Sequence, residues 1–132
     1  MTIAMELFEV RIDETSNEQI IILREKHGQR LLPIVIGMFE AQSIHVKINN
    51  IPLPRPLTHD LLGNVIEALN ARLVRILINK LEENTFYARL FIQTGQGEID
   101  LDSRPSDAIA LAIRADVPIF CNEQVFEALS GE

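Results

Sequence analysis

Tryptophan is absent from this 132-residue chain, tyrosine occurs once, and cysteine occurs once, at Cys121. A lone cysteine closes no intrachain disulfide and supplies no thiolate cluster for a metal, so a reducing, cytoplasmic setting is expected. No apolar run approaches the roughly 20 residues that cross a bilayer, and the first residues show no basic-then-apolar leader, so secretion and membrane insertion are not expected. A Gly-rich phosphate loop, a Gly-x-Ser-x-Gly elbow and a His-Glu-x-x-His helix are all missing, which removes the usual signatures of NTPases, serine hydrolases and zincins. Basic charge is also in deficit, with 12 Lys and Arg against 19 Asp and Glu and a formal net charge of -7. Passive nucleic-acid binders carry the opposite sign, because an acidic surface repels a phosphate backbone at long range. A nucleic-acid-processing enzyme can still be acidic where carboxylates hold a divalent cation and its basic residues cluster locally.

What is present is an ordinary globular composition, 47% apolar and 23% charged, at a length that suits one domain over residues 1–132. The first third predicts strands over Ala4 to Ile12, Gln19 to Arg24 and Leu31 to Ile36, because Phe8, Val10 and Ile12 alternate with Glu9 and Arg11. After Gly37 the period lengthens. Ala41, Ile44, Ile48 and Ile51 recur at spacings of three and four, predicting a helix that stops before Pro52. On it Glu40, Ser43 and Lys47 share a polar side, while His45 lines up with the apolar side. The three prolines between Ile51 and Leu57 predict an ordered linker. Thr58 is the expected N-cap of a second helix, with Asp60 in its first turn and Leu61, Leu62, Val65, Ile66 and Leu69 as its buried stripe.

Strands return over Leu73 to Leu81, Thr85 to Gln93 and Glu98 to Asp102. A two-residue turn at Gly95 and Gln96 sets the last pair in register, with Ile92 opposite Ile99 and Leu90 opposite Leu101. The other face then carries Arg89 opposite Asp102 and Phe91 opposite Asp100. Pro105 opens a third helix, apolar almost all round from Ala108 to Ile113 and therefore buried. Val117 to Cys121 is expected to be extended, and Glu123 to Leu129 a short last helix. The expected class is α+β, a mixed or antiparallel meander sheet packed with about three main helices.

Two polar segments could carry chemistry. In Asp100 to Asp107 a strand ends and a buried helix begins, so free N–H groups with Arg104 and Ser106 could hold a phosphate, and Asp100 with Asp102 could ligate a Mg²⁺ or Mn²⁺ ion. Alternatively Asp107 complements the helix dipole, Arg104 and Arg89 neutralise Asp102, and Glu98 is solvated. In Pro54 to Asp60 a stiff loop delivers Arg55, His59 and Asp60 to a helix start, with His59 as the natural proton-transfer group. Alternatively His59 is a surface residue of a capped first turn. A third segment, Gly37 to Ser43, offers Glu40.

Taken in order, Leu32-Pro-Ile-Val-Ile-Gly37, Glu40-Ala41, Arg55-Pro-Leu-Thr-His-Asp-Leu61, Phe86-Tyr-Ala88, Asp102-Ser-Arg-Pro-Ser-Asp-Ala-Ile-Ala-Leu-Ala112 and Val117-Pro-Ile-Phe120 resemble the bifunctional nuclease domain family. The resemblance covers nearly the whole chain. It implies an α+β fold and activity against RNA and DNA, and it falls on Glu40, Arg55, His59, Asp60, Arg104, Ser106 and Asp107. The resulting expectation is a phosphodiesterase in which Asp100 and Asp102, with Glu40 or Asp107, hold Mg²⁺ or Mn²⁺, Arg55 and Arg104 clamp the phosphate, and His59 transfers a proton beside Asp60 and Asp107. Expected partners are RNA or DNA and further copies of the chain. The rival is a binding module without catalysis, whose polar motifs are structural or line a homo-oligomer interface.

Overall fold

Apolar runs with one face turned inward build the first half of the sheet. In the computed structural model, which describes residues 1–131, β1 (Thr2–Arg11), β2 (Gln19–Glu25) and β3 (Leu31–Ile36) form an antiparallel meander with Leu7 opposite Leu23 and Ile21 opposite Ile34. Leu32, Ile34 and Ile36 point into the core while Leu31 and Val35 face out. Pro33 donates nothing to a ladder, and β3 lies at the sheet edge, where that loss is tolerated.

The second half is a meander of β4 (Arg72–Glu82), β5 (Thr85–Thr94) and β6 (Gly97–Ser103). Its last hairpin has the register read from the sequence: Ile92 pairs with Ile99, Leu90 with Leu101, Phe91 with Asp100 and Arg89 with Asp102. Gly97 closes the turn at a φ of 121°, a backbone region that only glycine adopts without strain. Four residues join the two halves. β7 (Ile119–Asn122) pairs antiparallel with β1 and parallel with β4, giving the strand order β3-β2-β1-β7-β4-β5-β6.

The helices are α1 (Met38–Ile48), α2 (Thr58–Ala68), α3 (Pro105–Ala115) and α4 (Glu123–Leu129). Within α3, Ala108, Ile109, Ala110, Leu111 and Ala112 are all buried, the small residues letting the helix lie close to the sheet. Full burial of Ile109, Ile76 and Ile78 stabilises by about 1.5–3 kcal/mol each relative to exposure. No helix among the described residues is long and apolar enough to cross a membrane.

Three expectations are corrected. The apolar stripe of α2 is not buried: Leu61 is 56% exposed and Leu69 74%, and of the whole helix only His59 is buried. Its periodicity shows that these residues share a face, but not that this chain covers the face. Thr58 does not cap α2. Leu57 holds the cap position, and Asp60 Oδ2 accepts the Leu57 backbone N–H at 2.8 Å. On α1, Ser43 is buried and His45 is exposed, bonding Asn49, because the helix packs on α3 as well as on the sheet and turns Ser43 inward.

Candidate active site

Three helices contribute one polar seam. Arg104, the last non-helical residue before α3, donates from Nε to Asp107 Oδ2 at 2.8 Å and from Nη2 to Asp107 Oδ1 at 3.2 Å. The same Nη2 reaches Glu40 Oε2 of α1 at 3.0 Å. Glu40 folds back over Gly37, where any Cβ would collide with its Oε1. Asp107 then meets α2, its Oδ1 lying 2.8 Å from His59 Nε2, while His59 Nδ1 lies 2.7 Å from Ser43 Oγ of α1.

Proton positions follow from the charges. Burial works to raise the Asp107 carboxyl, but the bonds from Arg104 and His59 outweigh it and hold the group below its ordinary value of 3.8. An ionised carboxylate needs a donor, so His59 Nε2 carries the hydrogen, and in the neutral ring Nδ1 accepts from the Ser43 hydroxyl. Serine, histidine and aspartate thus form a chain like that of serine hydrolases but with the two ring nitrogens exchanged. Ser43 is only 4% exposed and borders none of the hollows around the seam, so it holds His59 rather than meeting a substrate.

A second ion pair joins the same helices two turns further along α3. Arg114 of α3, its side chain 10% exposed, donates from Nε to Asp60 Oδ1 at 2.7 Å and from Nη2 to the Ser43 carbonyl at 3.2 Å. For Asp60, burial pushes the carboxyl up, and the bonds from Arg114 and the Leu57 N–H bring it below 3.8. Arg114 is enclosed but the Asp60 side chain is 38% exposed, so losing one partner costs less than the about 3–5 kcal/mol of a fully buried pair.

Open hollows flank the seam. One of about 610 Å³ is bordered by His59, Arg104 and Asp107 on its polar side and by Leu62 and Leu101 on its apolar side. Its volume lies within the roughly 300–1,000 Å³ of small-ligand pockets. Arg104, 65% exposed at its side chain, is the seam's most accessible cation.

The structure therefore brings together Glu40, His59, Arg104 and Asp107, with Asp60 joined through Arg114 and Ser43. Arg55 borders a separate hollow beside Asp60 and Arg114. Ser106 is buried and makes no bond to the seam, bordering another hollow that Gly37, Phe86 and Arg104 also border. Asp100 faces Arg89 at 3.3 Å, and Asp102, which also borders the 610 Å³ hollow, stands 4.0 Å from Arg89. Arg104 does not neutralise Asp102, and Glu98 pairs with Arg75 at 2.8 Å instead of being free in solvent. No group of three or more His, Cys, Asp or Glu suited to a metal occurs among the described residues. Two seam residues, Ser43 and Arg114, had a legible spacing signal: Ser43 stands three residues after Glu40 and Arg114 seven after Asp107, each pair on one helical stripe.

The chain has relatives. A family model for the bifunctional nuclease domain matches residues 21–131. The chain belongs to the bifunctional nuclease domain family. An uncharacterised protein of Mycobacterium tuberculosis is 41% identical over 116 residues, an alignment that covers 88% of this chain and 69% of that protein. Rice proteins called bifunctional nuclease 1 and bifunctional nuclease 2 are 28% and 32% identical, over 86% and 82% of this chain. The alignments cover only 35% and 34% of those rice proteins, so the family's shared part is about a third of the plant chains.

Proposed function

We propose that this chain is a nuclease domain that hydrolyses phosphodiester bonds of RNA or DNA beside the Asp107–His59 pair. The observation that supports it is the hydrogen-bonded series Arg104, Asp107, His59 along one wall of an open hollow, in a member of this family. Arg104 is the group to meet a phosphate, since guanidinium binds phosphate and carboxylate with the same fork of donors. As a phosphodiester draws Arg104 away, Asp107 loses the larger part of what depresses its basicity and keeps only the bond from His59. Its carboxylate then accepts a proton from the water whose oxygen bonds to phosphorus, the P–O bond to the leaving sugar oxygen breaks and that oxygen takes a proton from solvent in the open hollow, while His59, fixed by Ser43, keeps the carboxylate in place. Arg104 stabilises the charge that grows on the phosphate oxygens.

A Mg²⁺ or Mn²⁺ ion is part of the proposal through Asp100 and Asp102. Mg²⁺ commonly takes one or two carboxylates and completes its shell with water and substrate phosphate, so Asp100 and Asp102 would hold it by exchanging Arg89, 3.3 Å and 4.0 Å away, for the ion. Bound there, it would add positive charge beside the phosphate.

A second reading is supported by one observation, that every charged member of the seam already has a partner within the chain. In it the motifs only fasten α1, α2 and α3, and the exposed α2 stripe meets a second copy. Cleavage assays on RNA and DNA with Mg²⁺, Mn²⁺ or chelator, using the wild type, His59→Ala and Asp100→Asn, separate the two. Cleavage lost in His59→Ala supports the nuclease reading, and cleavage lost on chelation and in Asp100→Asn adds the metal. Activity unchanged in both variants overturns this site assignment.

A further inference from the structure

Of the 12 Lys and Arg side chains, all but four are held by carboxylates among the described residues. The four are Lys26, Lys47, Arg55 and Arg72. Lys26 stands in the turn after β2, but the other three converge. Lys47 and Arg55 border a hollow of about 390 Å³, and Lys47 and Arg72 border a neighbouring one of about 530 Å³. The two hollows share Lys47, Asp60 and Arg114, and the larger also reaches His59. Their only carboxylates are Asp60, already bonded by Arg114, and Glu67.

In a chain with 19 acidic residues, free cations gathered on one surface are an anomaly that folding alone does not require. An acidic domain repels polyanions everywhere except where its cations are local and unneutralised. We propose that Lys47, Arg55 and Arg72 form a phosphate-binding track that carries the backbone of a nucleic-acid strand away from the Asp107–His59 pair. The track takes its ligand from the nuclease reading, but its test does not depend on cleavage. Lys47 lies on α1, Arg55 between two prolines of the segment that joins α1 to α2, and Arg72 at the start of β4, so the cations stand on three separate stretches of the chain. All three residues are exposed, so they are replaceable without opening the core.

The test is equilibrium binding of a fluorescein-labelled, hydrolysis-resistant phosphorothioate single strand of about 12 nucleotides, within the range of known single-strand sites. Lys47→Glu, Arg55→Glu and Arg72→Glu are each expected to weaken binding about tenfold at low salt. Lys26→Glu, which changes net charge equally, is expected to weaken it less than about twofold. Replacing all three track residues by glutamine is expected to flatten the slope of log K against log salt by about 2, given about 0.7 per phosphate contact on a single strand. An equal effect of Lys26→Glu, or no effect of the other three, overturns the track. Cleavage measured in parallel keeps the two ideas apart. Charge-dependent binding without cleavage in the wild type leaves the track and removes the nuclease reading, while cleavage with charge-insensitive binding does the reverse.

Discussion

Replacing Ser43 by alanine removes one oxygen from a 4% exposed position in α1 and sets two effects of opposite sign against each other. Alanine is the better helix former, which favours the variant by about 0.5 kcal/mol. Against that, His59 Nδ1 loses its partner at 2.7 Å. The ring is itself only 8% exposed, so solvent offers little replacement. A buried acceptor left without a donor costs about 1–3 kcal/mol. The net expectation is a destabilisation of about 0.5–2.5 kcal/mol, or roughly 2–10 °C in Tm for a chain of this length. Calorimetry on wild type, Ser43→Ala, His59→Phe and the double variant isolates the bond. With both partners apolar, the penalty for losing Ser43 should vanish and alanine's helix preference should remain. A Ser43→Ala variant that melts at or above the wild type while His59 is present would refute the reasoning.

Acid should loosen the seam. Asp107 and Asp60 lie below 3.8 in the folded protein because arginine and N–H or imidazole donors outweigh burial, so their stabilisation is complete above that value and is lost as pH falls through the folded values. Urea midpoints are therefore expected to drop below about pH 4, and Asp60→Asn should make that drop shallower. Cys121 is fully buried, and burial pushes its thiol up to about 12, so iodoacetamide at about pH 8 should leave the native protein unmodified and label it only in denaturant. For the α2 surface, sedimentation equilibrium should show self-association that Leu61→Glu with Leu69→Glu abolishes without lowering the melting temperature of the monomer. A wild type that stays monomeric at high concentration contradicts that use of the stripe.

Local chemistry was legible where one element decides the outcome. The Gly95-Gln96 turn fixed the β5–β6 register because a two-residue loop permits few pairings and the apolar face had to stay on one side. Pro105 and the run Ala108 to Ile113 announced a buried helix for the same kind of reason. Long-range placement was not legible. Ile119 to Asn122 could have been any short strand, and only the assembled sheet shows it between β1 and β4. Leu61 and Leu69 read as core because apolar spacing records a shared face without recording its cover. In the site, Glu40, His59, Arg104 and Asp107 were chosen from three separate segments, and the fold joins them by direct hydrogen bonds. Ser43 was seen only as Glu40's neighbour, since nothing in α1 alone tells which side meets α2.

In the proposed reaction Asp107, positioned by His59 and released by Arg104, takes the proton in phosphodiester cleavage. Asp107→Asn keeps the size of the side chain and removes its basicity, so its initial rate on a fluorophore-quenched oligonucleotide, measured on a preparation whose melting curve shows it folded, tests that role directly. A fall of at least about 100-fold is expected, the lower range for loss of a general base. A folded Asp107→Asn protein that cleaves within about twofold of the wild-type rate would contradict it.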